Sequence, residues 1–289
     1  FRVSTLPTLF GEKIVMRILD PSSAKLGIDA LGYEPDQKQL MLDAIHRPYG
    51  MILVTGPTGS GKSTTLYSAL KRINQTDKKI ITIEDPVEYQ MDGINQIHVN
   101  PQIGLTFSTG LRHIVRQDPD VIMVGEVRDR ETADIAIRSA LTGHFVYTTL
   151  HTNDAPSAIT RLTDMGVENY LICSSVVGVL AQRLVRVICK NCSKPAEKQL
   201  SPFGEEIQTW RGTGCEQCFG TGYHGRVGIF EMMDMNDEMR KLIMQNADAG
   251  DLIKAAKRNG MKTLREDGWA KVAAGVTTHE EVTRVTQEF

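Results

Sequence analysis

Residues 51–65 read MILVTGPTGSGKSTT: a β-forming apolar run, then Gly56, Gly61, Lys62 and Ser63 at the G-x-x-x-x-G-K-[ST] spacing, then residues able to open a helix. Strand, glycine-rich loop and helix in that order predict a phosphate cradle over residues 56–64. Between Gly56 and Gly61 run Pro57, Thr58, Gly59 and Ser60, so four of these six residues are Gly or Pro. Such a backbone can approach a ligand closely and turn consecutive N–H groups toward it. The first turn of the helix, Lys62, Ser63 and Thr64, adds its N–H groups and partial positive charge. Lys62 places a point charge where β- and γ-phosphates would lie, and the Ser63 hydroxyl is a hard oxygen ligand for Mg²⁺. The site expected is one for ATP or GTP. A glycine-rich turn arising by chance would need neither the preceding strand nor the following helix formers.

Outward from the loop the pattern alternates. Apolar runs at 51–55, 80–84, 121–124 and 145–149 are separated by helical segments near 62–72, 108–117 and 131–141. Strands spaced by helices of that length predict a mostly parallel sheet covered on both faces, an α/β core. Upstream, residues 12–19 are β-rich, Asp20-Pro21-Ser22-Ser23 is a break, and Pro35 opens an amphipathic helix to about residue 47. Downstream, helices are expected at 155–165 and 169–185, a β-like segment at 226–235, and three or four short helices over 236–288. The chain starts at Phe1 and runs at once into structured-looking sequence, so a preceding segment is expected.

With 289 residues, 41% of them hydrophobic, the chain can bury a large core. A net charge of −2 offers no global field for nucleic acid, and no nucleic-acid partner is expected. No stretch approaches 18 consecutive apolar residues and no charged-then-apolar leader is visible, so neither a membrane span nor a secretory signal is expected.

Nucleotide hydrolysis at such a loop needs carboxylates to hold the metal and orient water. Glu126 ends the run VIMVGE and is the candidate general base. Gly125 stands where an acid commonly closes that motif, so water-mediated contact to Mg²⁺ is expected. Glu84, in IITIED, is a candidate second acid. His144 and His151 flank the strand 145–149; each is either a sensor of the terminal phosphate or a turn cap. Arg112 and Arg116, four apart on one helix, are either a solvated pair or phosphate contacts. Cys189-x-x-Cys192 and Cys215-x-x-Cys218, 22 residues apart, can give four thiolates to one tetrahedral Zn²⁺ with no open coordination position, hence a structural site. Cys173, alone in an apolar segment, reads as core.

GPTGSGKSTTLY at 56–67, ITIEDPVEY at 81–89, RQDPDVIMVGEVRD at 116–129, and TGH with TLHTN within 142–153 together resemble the secretion and pilus-assembly traffic ATPases over nearly the whole chain. The resemblance implies a RecA-like P-loop core at 35–186, a zinc-binding insert at 187–225 and a C-terminal helical region at 226–289. Residues 1–20 would be the end of a preceding N-terminal domain and 21–34 a linker. It further implies a cytoplasmic homohexamer, peripheral on the inner membrane, that works with a membrane platform protein and a cytoplasmic adaptor. Arg2 and Arg17 would swing onto the phosphates, and Arg112 and Arg116 would lie near the site. Strings such as LAQRLVR before the first cysteine look more like the type II secretion branch than like pilus-extension motors. A nucleic-acid-translocating ATPase with a zinc ribbon is the alternative of a different class, and it lacks a basic stripe here. No LSGGQ-like string supports an ABC transporter.

Overall fold

The computed structural model describes residues 2–17 and 26–286; residues 1, 18–25 and 287–289, and the side chains of Arg2 and Arg17, lie outside the described part. Strands β1 (Arg2–Thr8) and β2 (Gly11–Arg17) pair as an antiparallel hairpin. Then follow α1 (Pro35–Ile45), β3 (Gly50–Thr55), α2 (Lys62–Ile73), β4 (Ile80–Glu84), β5 (Asn95–His98), α3 (Phe107–Ile114), β6 (Val121–Val124), α4 (Arg130–Leu141), β7 (Phe145–Leu150), α5 (Pro156–Asp164), α6 (Asn169–Ser175) and β8 (Val176–Ile188). The short strands β9 (Ser193–Pro195), β10 (Gln199–Leu200), β11 (Glu206–Ile207) and β12 (Trp210–Gly212) precede β13 (Tyr223–Asp234). Helices α7 (Asp237–Met244), α8 (Ala249–Arg258), α9 (Leu264–Ala273) and α10 (His279–Thr286) follow.

One seven-stranded sheet organises the chain, in the order β13-β8-β3-β7-β6-β4-β5. Its strands run parallel except β13, which is antiparallel to β8. Side chains alternate between two apolar layers, as the pleat requires. Met51 and Leu53 of β3, Ile122 and Val124 of β6, and Val146 and Leu150 of β7 face one layer, closed by α3 to α6 and the C-terminal helices. Ile52, Val54, Val121, Met123, Phe145 and Tyr147 face the other, closed by α1 and α2. With both faces covered, each strand reads in sequence as an unbroken apolar run, and so the four expected strands all form.

One expectation needs correction. The helix expected over 169–185 ends at Ser175, and residues 176–188 form β8. Its apolar residues do fit a helical period, but the segment is rich in valine and buried on both faces beside β3, which removes the alternation that marks a half-exposed strand. The linker expected at 21–34 is packed over its described part. Ile28 and Leu31 are buried with the α1/α2 layer, Gly228 N–H donates to the Leu31 carbonyl at 3.1 Å, and Tyr33 stacks on Phe230 with ring centroids 4.1 Å apart.

Cysteine-bearing residues 189–218 emerge between β8 and β13, which form a long two-stranded arm beyond the sheet. In the C-terminal region the helices start on side-chain caps: Asn236, Asp248 and Thr263 accept the N–H groups of Met239, Asp251 and Glu266.

Candidate phosphate-loop site and cysteine cluster

Thr55 ends β3, and the loop from Gly56 to Gly61 delivers the chain to the first turn of α2. Gly56 and Gly61 have φ of +148° and +91°, conformations open to glycine and strained for L side chains. Thr58, Gly59 and Ser63 are exposed at the mouth of the loop. Lys62 folds back so that Nζ donates to the carbonyls of Gly56 at 2.7 Å and Pro57 at 3.0 Å. Burial lowers its pKa to about 8; the nearby Glu126 carboxylate opposes that shift and the Arg183 guanidinium adds to it.

Glu126 lies just past the end of β6, and parallel pairing of β6 with β7, and of β7 with β3, brings it to the loop's edge of the sheet. One of its carboxylate oxygens accepts from Arg128, and the other lies 3.2 Å from His151 Nε2. Burial would raise its pKa, but the hydrogen bond and charge of Arg128, together with His151, outweigh burial and hold it below the ordinary carboxylate value. Arg128 also reaches Asp85 at 3.6 Å. Lys62, Glu126 and His151 therefore form one constellation. His151 is fixed there because Thr55 Oγ1 and Thr152 Oγ1 lie 2.7 Å apart, joining the end of β3 to the residue after the histidine.

The remaining expected residues are placed differently. His144 precedes β7, and its carbonyl accepts from Gly50 N–H at 3.2 Å at the start of β3. Five strand residues then separate it from Thr55, roughly 17 Å at 3.3–3.4 Å per residue. Within this chain His144 sits at the opposite edge of the sheet from the loop, with Nδ1 2.9 Å from the Ser139 carbonyl. Glu84 is 5% exposed and accepts from Tyr67, from Thr82 Oγ1 at 2.6 Å and from Gln96 Nε2 at 3.2 Å. These bonds tie β4 to α2 and β5 from inside, and burial raises the pKa of Glu84. Arg112 pairs with Glu131 at the start of α4, and Arg116 is exposed in the turn after α3. Arg2 and Arg17 face each other in the hairpin register, with their side chains outside the described part.

Two residues of the site, both within the LAQRLVR string, were not among the expected site residues. Gln182 and Arg183 lie on β8 directly behind the loop, within the segment expected to be helical. Gln182 Nε2 donates to the Ser60 carbonyl at 2.7 Å, and Arg183 donates to the carbonyls of Gln182 at 3.0 Å and Asn153 at 2.7 Å. Beyond them opens a cavity of about 1000 Å³ lined by Pro57, Asn153, Arg183, Glu231 and Leu264 among others.

Cys189, Cys192, Cys215 and Cys218 bring their sulfurs within 4.8 Å of one another. The closest Sγ pairs are 3.6, 3.7 and 3.8 Å apart. A tetrahedral Zn²⁺ with 2.3 Å bonds to sulfur has edges of about 3.8 Å, so the four thiols fit a closed site. The N–H groups of Cys215 and Gly222 point at Cys218 Sγ at 3.1 and 3.3 Å, as suits a thiolate.

Residues 1–284 match the family described as Type II/IV secretion system protein. The chain is 51% identical over 299 residues to the type IV pilus assembly ATPase PilB of Acinetobacter baylyi, covering 100% of this chain and 52% of that protein. It is 52% identical over 287 residues to the type II secretion system protein HxcR of Pseudomonas aeruginosa, covering 99% of this chain and 59% of that protein. The chain thus spans little more than half the length of these relatives, and identity does not separate the two branches. A crystal structure of the pilus retraction motor PilT with bound ADP superposes with a TM-score of 0.74 at 31% identity, over 98% of this chain and 73% of that one.

Proposed function

Because the chain belongs to the Type II/IV secretion system protein family, we propose that it carries the ATP-hydrolysing core of a motor that powers assembly of a pilus or of a type II secretion pseudopilus. The observation that carries this reading is the meeting of Lys62, Glu126 and His151 at one phosphate loop. The loop N–H groups and Lys62 bind and neutralise the phosphates. Mg²⁺ held by the Ser63 hydroxyl would supply further charge neutralisation at the transferring phosphate. Glu126 takes the proton of the attacking water, and His151 orients its carboxylate. The four cysteines hold Zn²⁺ as a brace for the β8–β13 arm.

The wider proposal follows the family. The motor is a homohexamer on the cytoplasmic side of the inner membrane, engaging a platform protein and a cytoplasmic adaptor. Arg2 and Arg17 reach the phosphates from the N-terminal side, and Arg112 and Arg116 act near the subunit boundary. No helix among the described residues is long and apolar enough to cross a membrane. In the full-length protein, Lys62→Ala should abolish ATP hydrolysis and nucleotide binding. Glu126→Gln should keep binding and lower kcat by 10²-fold or more, on the order of general-base contributions. Wild-type turnover by a folded Glu126→Gln protein would remove the general-base assignment.

A further inference from the structure

Gln182 is 1% exposed, an uncharged polar side chain whose two hydrogen bonds are directed at the phosphate loop and its helix. The register pairs Thr55 of β3 with Ala181 of β8, which places Gln182 level with Gly56. Its Nε2 donates to the Ser60 carbonyl at 2.7 Å, and its Oε1 accepts from the buried Thr65 Oγ1 at 2.8 Å in the first turns of α2. The loop is also packed against it. A Cβ at Gly56 would lie 2.5 Å from the Gln182 carbonyl oxygen, and one at Gly61 would lie 3.0 Å from Gln182 Nε2. Glycine at 56 is thus required by the backbone behind it as well as by its own φ, and at 61 the Gln182 amide lies in close contact.

The bond to Ser60 has a directional consequence. Across a trans peptide the C=O and the following N–H point in opposite directions. Anchoring the Ser60 carbonyl inward on Gln182 therefore turns the Gly61 N–H outward, toward the hollow of the loop. Glycine at 61 gives that peptide freedom to flip, so something outside the loop must hold it.

We propose that Gln182 is a positioning residue for nucleotide binding, aiming the Gly61 N–H at the phosphates by holding the Ser60 carbonyl and the Thr65 hydroxyl. The proposal rests on the nucleotide reading of the loop. Its test uses the full-length protein and a methylanthraniloyl-ATP probe read by fluorescence, with thermal unfolding in parallel. Gln182→Met keeps the length of the side chain, removes both hydrogen bonds and frees the Ser60–Gly61 peptide, and should raise Kd about tenfold, the lower end of the scale for one lost hydrogen bond to a charged group. Gln182→Glu adds a pH signature. Ionised, its second oxygen faces the Ser60 carbonyl oxygen and repels it; protonated, it donates to that oxygen and restores the bond. The ratio of its Kd to the wild-type value, read from pH 5 to pH 9, should be large wherever that acid is ionised and fall toward one where it is protonated. Wild-type affinity in a folded Gln182→Met protein overturns the proposal. Should that variant not fold, the Gln182→Glu ratios decide, and a ratio of one at every pH from 5 to 9 overturns it. Loss of binding in Lys62→Ala with none in the Gln182 variants refutes the proposal alone, whereas a wild-type protein that does not bind the probe refutes the nucleotide reading itself.

Discussion

Replacing Glu231 by Gln should make this protein more stable as pH rises, relative to the wild type. Glu231 is on β13, 4% exposed, at the back of the cavity behind the phosphate loop. Its carboxylate accepts from Ala155 N–H at 2.7 Å and Leu264 N–H at 3.3 Å, at the N-termini of α5 and α9. Those dipoles and the Arg183 guanidinium favour the charged form, Asp154 disfavours it, and Arg265 shares the cavity wall. Burial is the largest influence and pushes the pKa from 4.5 up to about 7. Below pH 4.5 both folded and unfolded chains hold the proton, and stability from this group is flat. Between pH 4.5 and about 7 the unfolded chain has released the proton and the native chain has kept it, so stability falls with rising pH by about 1.4 kcal/mol per pH unit. The loss totals about 3 kcal/mol and is complete above pH 7. Gln at this position resembles the protonated acid and does not titrate. Urea unfolding of both proteins at pH 5, 6, 7 and 8 measures the difference. The variant should gain on the wild type by about 3 kcal/mol across that range, mostly before pH 7. Parallel stability profiles would refute the reasoning, because they would mean that Glu231 is ionised in the folded protein throughout.

Lys271 and Asp267 form an ion pair at 2.7 Å, with side chains 5% and 0% exposed, and Asp267 also accepts from Phe230 N–H. Lys271→Met strands that carboxylate and should cost about 3–5 kcal/mol in urea unfolding; a loss below about 1 kcal/mol would contradict its burial. Chelation of metal, or Cys189→Ser, should unfold the tip of the β8–β13 arm, seen as rapid amide exchange over residues 189–222. Exchange in β3, β6 and β7 should stay slow, since those strands are held by their own apolar layers.

The phosphate loop was legible because its requirements are local. Gly56, Gly61 and Lys62 act through backbone angles and reach that depend on a few consecutive residues, and an apolar run before them with a helix after is enough context. The cysteine cluster was legible for the same reason, since a C-x-x-C pair turns two sulfurs toward one point. Strands β3, β4, β6 and β7 were legible as apolar runs. β8 was not, because burial on both faces erased its alternation, and with it went the reading of Gln182 and Arg183.

The positions of the two histidines separated only when the strands were ordered. His144 and His151 flank the same strand and looked equivalent in sequence, yet a strand has two ends, and the parallel register of β7 on β3 sends one to the phosphate loop and the other to the far edge. Glu84 and Glu126 likewise both follow apolar runs. Tyr67, Thr82 and Gln96 close over Glu84, whereas Glu126 meets Arg128 and His151 beside Lys62. The amino-acid sequence by itself thus determined which chemistry is present: a loop shaped for phosphate, a set of acids and histidines, and four thiols. Tertiary structure decided which of those groups lie together and what holds them, because hydrogen bonds such as Gln182 to Ser60 join residues 122 positions apart and exist only once β8 lies beside β3.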